Sequence, residues 1–324
     1  MCSPRIVDEA MKQKIAAWNA SFRKVTNSPF GADDEIGMLN LIDAASRDAI
    51  MSRADASRVY DLSVDNFVGM PGWTAAGDPT YQIWMTHTPP GEKVWNSMGQ
   101  DAATNDLIAY SGDAISMYTH CGTHIDTLNH FGFNGHIWNN FSVDKHLGSR
   151  TWNVCGAEKH PPVIARGILL DLAAMHGIDV LPPSHGVGAR EIEDCLKHQG
   201  TEVKPGDVVL LRTGKMKHWL DTPAFCSNVP GLTREGAEYL CKSGAIMIGA
   251  DNLTVEQTPS TEPGNYLPVH CYLFAEAGVP ILEMAQLDEL GADKVYEFAF
   301  IGACIKLRGA TGSPMRPVAM PLRG

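Results

Sequence analysis

Apolar and polar positions are most regular after residue 113. AISMYTH (114–120) alternates with the period of two shown by a half-buried strand. GILLDLA (167–173) is a short apolar run that suits a buried strand. REIEDCLKHQ (190–199) carries a helical pattern and meets Gly200, a residue that ends helices readily. KPGDVVLLRTG (204–214) is a Pro-Gly turn running into a β-branched apolar strand. Thr233 can cap a helix that runs to Lys242 and stops near Gly244. AIMIGAD (245–251), VPILEM (279–284) and VYEFAFIGACIKL (295–307) read as further strands, and a helix is predicted over 267–276, before Gly278. Strands and helices thus alternate through the second half, which predicts an α/β domain.

The first third is less regular. Residues 8–26 suit a helix with Ala10, Ile15, Ala16 and Phe22 on one face. Residues 33–40 read as a turn leading into a short helix, LIDAASRDAI. Residues 66–110 are rich in Gly, Pro, Trp and Asn, and predict a long irregular excursion. Long loops in compact domains are more often functional than not.

Composition narrows the function classes. The net charge of -11, with no Lys/Arg cluster, argues against a nucleic-acid partner. No apolar run of about eighteen residues is present, so no membrane span is expected. The start has no apolar segment of the secretory type. The eight cysteines are scattered without a C-x-x-C pair and read as reduced thiols, so a cytoplasmic protein is expected.

The chemistry concentrates in His120-Cys121-Gly122-Thr123-His124-Ile125-Asp126-Thr127-Leu128-Asn129-His130. Three of the chain's twelve histidines and one aspartate fall there. Neutral imidazole and carboxylate are the ligand types that Zn and Mn favour. In a straight strand residues 120 and 130 would share a face but lie roughly 33 Å apart. In a helix Asp126 would point about 200° away from His124. The segment must therefore bend, and Gly122 supplies the freedom to do so. The expected path is a strand ending near His120, a turn at Gly122-Thr123, and a second extended piece carrying His124 and Asp126. Thr123 could then orient a ligand by hydrogen bonding. The competing reading is a hydrogen-bonded turn without a metal.

The segment closely resembles the H-x-G-T-H-x-D-x-P-x-H motif of the cyclase family of metal-dependent hydrolases. That family includes bacterial kynurenine formamidase, isatin hydrolase and trans-dienelactone hydrolase. Six of the seven fixed positions agree, and Leu128 stands where the motif has Pro. Weaker similarities run outward, through residues 31–37, Lys204-Pro205-Gly206-Asp207, and His270 to Glu283. The resemblance implies that His120, His124 and Asp126 bind a divalent metal, Zn or Mn, and that His130 is the catalytic acid/base. In two-metal members Asp126 would bridge to a second ion, for which His270 and Glu283 are the matching positions. The implied fold is a swivelling β/β/α cyclase-like α/β fold with an N-terminal helical and irregular extension. The chain then reads as one domain, 1–324, with extension and excursion over 1–110 and the core over 111–310, in a homo-oligomer (dimer or tetramer).

The implied reaction is hydrolysis of an amide, imide or lactone bond of a small cyclic or aromatic substrate. Trp73, Trp84, Trp95 and Phe67 in the excursion, with Trp138 after the motif, are candidates for an aromatic substrate wall. No G-x-S-x-G elbow supports a serine hydrolase. Cys121 is a weak candidate nucleophile, being the variable position of the motif. Two rivals stand beside this reading. One is a non-haem Fe(II) oxygenase using His124, Asp126 and His270. The other is a non-catalytic metal-binding protein, which would leave His130 without a task.

Overall fold

The computed structural model describes residues 9–10, 13, 25–74 and 76–323. Most of the helix expected over 8–26, including Ile15, Ala16 and Phe22, lies outside the described residues.

The chain builds a mixed nine-stranded sheet with helices packed on it. The strands are β1 (Tyr60–Asp61), β2 (His124–Asp126), β3 (Val163–Asp171), β4 (Val208–Arg212), β5 (Met247–Ala250), β6 (Ile281–Glu283), β7 (Glu297–Gly302), β8 (Gly312–Pro314) and β9 (Val318–Pro321). Their order across the sheet is β1-β9-β7-β3-β4-β5-β6-β2-β8. The middle four, β3 to β6, are parallel. Antiparallel strands extend the sheet on both sides. Parallel strands need helical crossovers and are covered on both faces, which is why β4 and β5 read as unbroken apolar runs.

Two helices were legible from pattern and caps together. Helix α1 (Ala189–Gln199) buries Ile192, Cys195 and Leu196 and ends on Gly200 at φ 67°. Helix α2 (Arg234–Ser243) is capped by the Thr233 side chain, which accepts from Gly236 N. It ends on Gly244 at φ 103°, a left-handed position where the Pro205 backbone leaves no room for a Cβ. The two helices pack on each other, and α1 rests on β3.

Several expectations shift. The strand read over 114–120 is Gly112–Ser116, and it pairs with Gln82–His87 in a separate hairpin. The excursion over 66–110 therefore holds a strand and two short helices, Pro89–Trp95 and Ala102–Leu107. Its partner strand lies outside the window, so no local pattern disclosed it. The run at 295–307 is a strand only over Glu297–Gly302. The helix at 267–276 is an α-turn, Pro268–Cys271, followed by a π-helical segment, Tyr272–Ala277, before Gly278 at φ 65°. The sheet also recruits β1, β8 and β9 from outside 111–310. Among the described residues, no helix is long and apolar enough to cross a membrane.

Candidate metal centre and active site

Strand β2 is only three residues long, His-Ile-Asp, held between β6 and β8. Alternation sends Ile125 into the core, where it is fully buried, and leaves His124 and Asp126 on the opposite face. Glu283 of β6 lies directly across from His124, so its carboxylate shares that face. The β2–β6 pairing thus gathers two carboxylates and an imidazole that are far apart in sequence.

The turn before β2 aims the ligands. Gly122 has φ 61°, and the Asn66 side chain occupies the space a Cβ would need. The Gly122 carbonyl accepts from His124 Nδ1 at 2.8 Å. That bond keeps a proton on Nδ1 and turns Nε2 inward. Thr123 does not touch a ligand, as the sequence suggested it could. Its hydroxyl donates to the Met284 carbonyl at 2.7 Å and accepts from Val64 N at 3.0 Å, tying the turn to β6 and the N-terminal segment.

The remaining histidines converge on Asp126. His120 Nδ1 lies 2.5 Å from Asp126 Oδ1, and His120 Nε2 lies 2.9 Å from Thr311 Oγ1. The His120 ring fits because residue 312 is glycine; a Cβ there would stand 2.6 Å from ring Cε1. His130 stacks on His120 with ring centroids 3.9 Å apart, and its Nε2 is 3.8 Å from Asp126 Oδ2. His124 Nε2 is 3.1 Å from Asp126 Oδ1 and 3.4 Å from Glu283 Oε2. His270 Nε2 is 3.3 Å from Glu283 Oε1 and 3.8 Å from Asp126 Oδ2. Six residues expected from sequence, two of them at a distance, are therefore brought to one point.

The cluster is built for a cation. Among the described residues, His124 Nε2, Asp126 Oδ2 and Glu283 Oε1 are buried without a hydrogen-bond partner. An unpartnered buried polar atom costs about 1–3 kcal/mol, and more when charged. Three such atoms aimed at one volume form a donor set that a divalent ion would satisfy. The nitrogen and carboxylate donors suit Zn or Mn. His120, Asp126 and His130 also offer ligand atoms within 4.8 Å of one another, as do His124, Asp126 and Glu283. Away from this centre, His176, His185 and Glu191 form a partly exposed group whose ring nitrogens already meet the carboxylate at 2.6–3.0 Å.

Electrostatics separate the histidines. Burial disfavours a charged His124, but Asp126 and Glu283 override it and hold the imidazole up to about 10. Burial likewise opposes charge on His270, and Glu256 and Glu283 again raise it well above the ordinary histidine value. Asp126 is held well below its usual range, because the surrounding His120, His130 and His124 outweigh its own burial. His130 goes the other way. Burial and the neighbouring His120 push it well below the ordinary value, so it is a neutral base near pH 7.

The centre forms the floor of a cavity of about 470 Å³. Trp73, Tyr118, Phe131, Leu253, Tyr266 and Leu267 supply its walls. Of the aromatic residues suggested by sequence, only Trp73 lines it. Trp138 is fully buried behind the site, where its Nε1 donates to Asp34 at 3.0 Å. Phe67 packs edge-on against Trp219 at 6.1 Å instead. Trp84 lies on the hairpin and is 50 % exposed; Trp95 ends a short helix and is 82 % exposed. Proximity in sequence puts those four near the motif, yet none of them lines the cavity.

Sequence reasoning missed Glu256, Thr311, Tyr118, Phe131 and Tyr266. Glu256 is the most consequential. Its buried carboxylate accepts from His270 Nδ1 at 2.6 Å, His270 N at 2.8 Å and Val269 N at 3.1 Å, fixing the ring with Nε2 inward. The available signal was topological: loops after the carboxyl ends of parallel strands carry ligand residues, and residue 256 follows β5. Cys121 is buried with its thiol pushed up to about 11 by burial, and its Sγ donates to the Tyr118 carbonyl at 2.9 Å, which makes it a poor nucleophile.

The sequence matches the Cyclase family model over residues 60–257. It is similar to the kynurenine formamidase of Bacillus cytotoxicus, with 28 % identity over 208 residues, covering 64 % of this chain and 79 % of that protein. In structure it is similar to a crystal structure described as a novel cyclase, at TM-score 0.81 and 22 % identity, covering 92 % of this chain and all of that one. An isatin hydrolase bound to the product analogue thioisatinate superposes at TM-score 0.59 and 20 % identity, over 82 % of this chain and 93 % of that one. Isatin hydrolase A of Labrenzia aggregata does so at TM-score 0.61 and 18 % identity, over 82 % and 94 %. These likenesses establish the shared fold.

Proposed function

Because the chain belongs to the cyclase family, we propose that it is a metal-dependent hydrolase that opens an amide, imide or lactone bond of a small cyclic or aromatic substrate. The observation that carries this reading is the set of buried, unpartnered donor atoms on His124, Asp126 and Glu283 beside a neutral His130 at the floor of an open cavity. The names of the kynurenine formamidase relative and the isatin hydrolase neighbours support amide chemistry.

His120, His124 and Asp126 would hold one divalent ion, and Asp126, His270 and Glu283 a second. When bound, such an ion supplies Lewis acidity and a lowered water pKa. His130 accepts a proton from the attacking water at Nε2 and returns it to the leaving nitrogen or oxygen. The water's oxygen joins the acyl carbon as the C–N or C–O bond breaks, so no external reactant is needed. Glu256 keeps His270 oriented, and Thr311 does the same for His120. An Fe(II) triad of His124, Asp126 and His270 would leave His120, His130 and Glu283 unused at the same centre, so hydrolysis is the reading we keep.

The test is elemental analysis of protein purified without chelator, with assays on N-formyl anilines, cyclic imides and lactones. Bound Zn or Mn, lost together with hydrolysis in Asp126→Ala, supports the reading. A wild type that stays metal-free after reconstitution sinks it. A homo-oligomer is also proposed: Ile83, Trp84, Met85 and Ile115 of the hairpin are each about half exposed, and an isolated two-stranded hairpin is marginally stable in water. Light scattering on Trp84→Glu would show a shift toward monomer.

A further inference from the structure

Outside the metal-ligand cluster, the cavity lining carries one carboxylate, Asp78, among the described residues. Its lining includes Tyr266, which is 72 % exposed, and Asp78, which lies between the exposed Gly77 and Pro79, and no lysine or arginine lines it among the described residues. Asp78 is half-buried in the irregular stretch that also carries Trp73. Phe131 stands between floor and rim, 5.1 Å from the His270 ring and 6.2 Å from that of Tyr266 by centroid. A ligand whose scissile bond reaches the floor is therefore flanked by aromatic faces along its length. Its outer end arrives beside the Asp78 carboxylate, with no lysine or arginine to balance it among the described lining residues.

Two consequences follow from elementary electrostatics. An anionic substituent at that outer end would meet like charge and would lose hydration with no lysine or arginine to replace it. A cationic amine would meet opposite charge, and its flanking methylene would sit against the tryptophan and tyrosine rings, whose faces also attract cations.

We propose that the pocket selects flat substrates whose outer end is neutral or cationic, and that Asp78 is the specificity residue that reads this charge. This rests on the hydrolase reading above only for where the scissile bond lies. The charge preference is a property of the cavity wall and can be measured without turnover.

The probes are three formanilides bearing a para aminomethyl, hydroxymethyl or carboxymethyl group. They differ mainly in charge, being +1, 0 and -1 near pH 7. Their affinities are read from quenching of Trp73 fluorescence, with Trp73→Phe as the blank, and their hydrolysis is followed separately on the metal-loaded enzyme. The expected order is cation, neutral, anion, with about tenfold between the extremes, the scale of a partly exposed charge. The difference should lie in KM rather than kcat, because the charge is remote from the reacting bond. It should shrink as salt is raised. In Asp78→Asn the span should fall to within about twofold, in Asp78→Glu it should persist, and in Asp78→Lys the order should invert. Equal binding of all three probes, tightest binding of the anion, an unchanged order in Asp78→Asn, or no binding at all overturns the proposal. Ordered binding without hydrolysis leaves the charge selection standing and counts against the hydrolase reading instead.

Discussion

Metal uptake by this centre should expel a proton, and the count can be worked from the structure. His124 points Nε2 at Asp126 and Glu283, which hold the imidazole up to about 10 against its burial. Near pH 7 it is therefore an imidazolium, whereas a metal ligand must be the neutral ring. Binding one ion through His124 should release about one proton. The sign is that protons compete with metal, so affinity rises with pH. Three pH units separate pH 7 from that value, so apparent affinity at pH 7 lies roughly a thousandfold below its limit, about 4 kcal/mol. Between pH 6 and 9 the logarithm of the association constant should climb by about one per pH unit. His130, held low, should release nothing. Calorimetric titration of Mn into chelator-stripped protein, repeated in buffers of different ionisation enthalpy, counts the protons directly. His124→Gln should lower the count, and His130→Gln should leave it unchanged. A count of zero with pH-independent affinity would refute the argument, and with it the role of His124 as a ligand.

Three further outcomes are expected. His160 is buried, and burial pushes its imidazole down to about 4, so the unfolded chain takes up its proton first as pH falls. Its contribution should be complete above about pH 6.5 and lost toward pH 4, about 3 kcal/mol in all; urea unfolding of His160→Leu and wild type that fell in parallel would contradict this. Glu256→Gln keeps the shape but weakens the charge-assisted bond to His270, and should reduce metal affinity by about 10–100-fold in chelator competition while circular dichroism stays native; unchanged affinity would remove its orienting role. Gly122→Ala must hold alanine at φ 61° against the Asn66 side chain, and should cost at least about 1–2 kcal/mol of stability; adding Asn66→Ala should recover only the steric share, so full recovery would show that backbone conformation is not the limit.

Local pattern alone determined much of this protein. The caps and stops of α1 and α2 and the apolar runs of β4 and β5 are short-range signals, because capping groups and side-chain alternation act within a few residues. The crowding of His120, His124, Asp126 and His130 was legible for the same reason: a bend at Gly122 is enough to bring them together. Tertiary structure decided the rest. Glu283 became a partner of His124 through the β2–β6 register, which pairs residues far apart in the chain. Glu256, in the connection after β5, reaches His270 of the Pro268–Cys271 turn through the tertiary path of the chain, and no periodicity encodes that meeting. The aromatic residues show the limit most plainly. Trp73 and Trp138 are equally apolar in sequence, yet one lines the cavity and the other is sealed in the core against Asp34. Hydrophobicity says that a ring will be covered; which neighbours cover it depends on how the whole sheet and its connections pack.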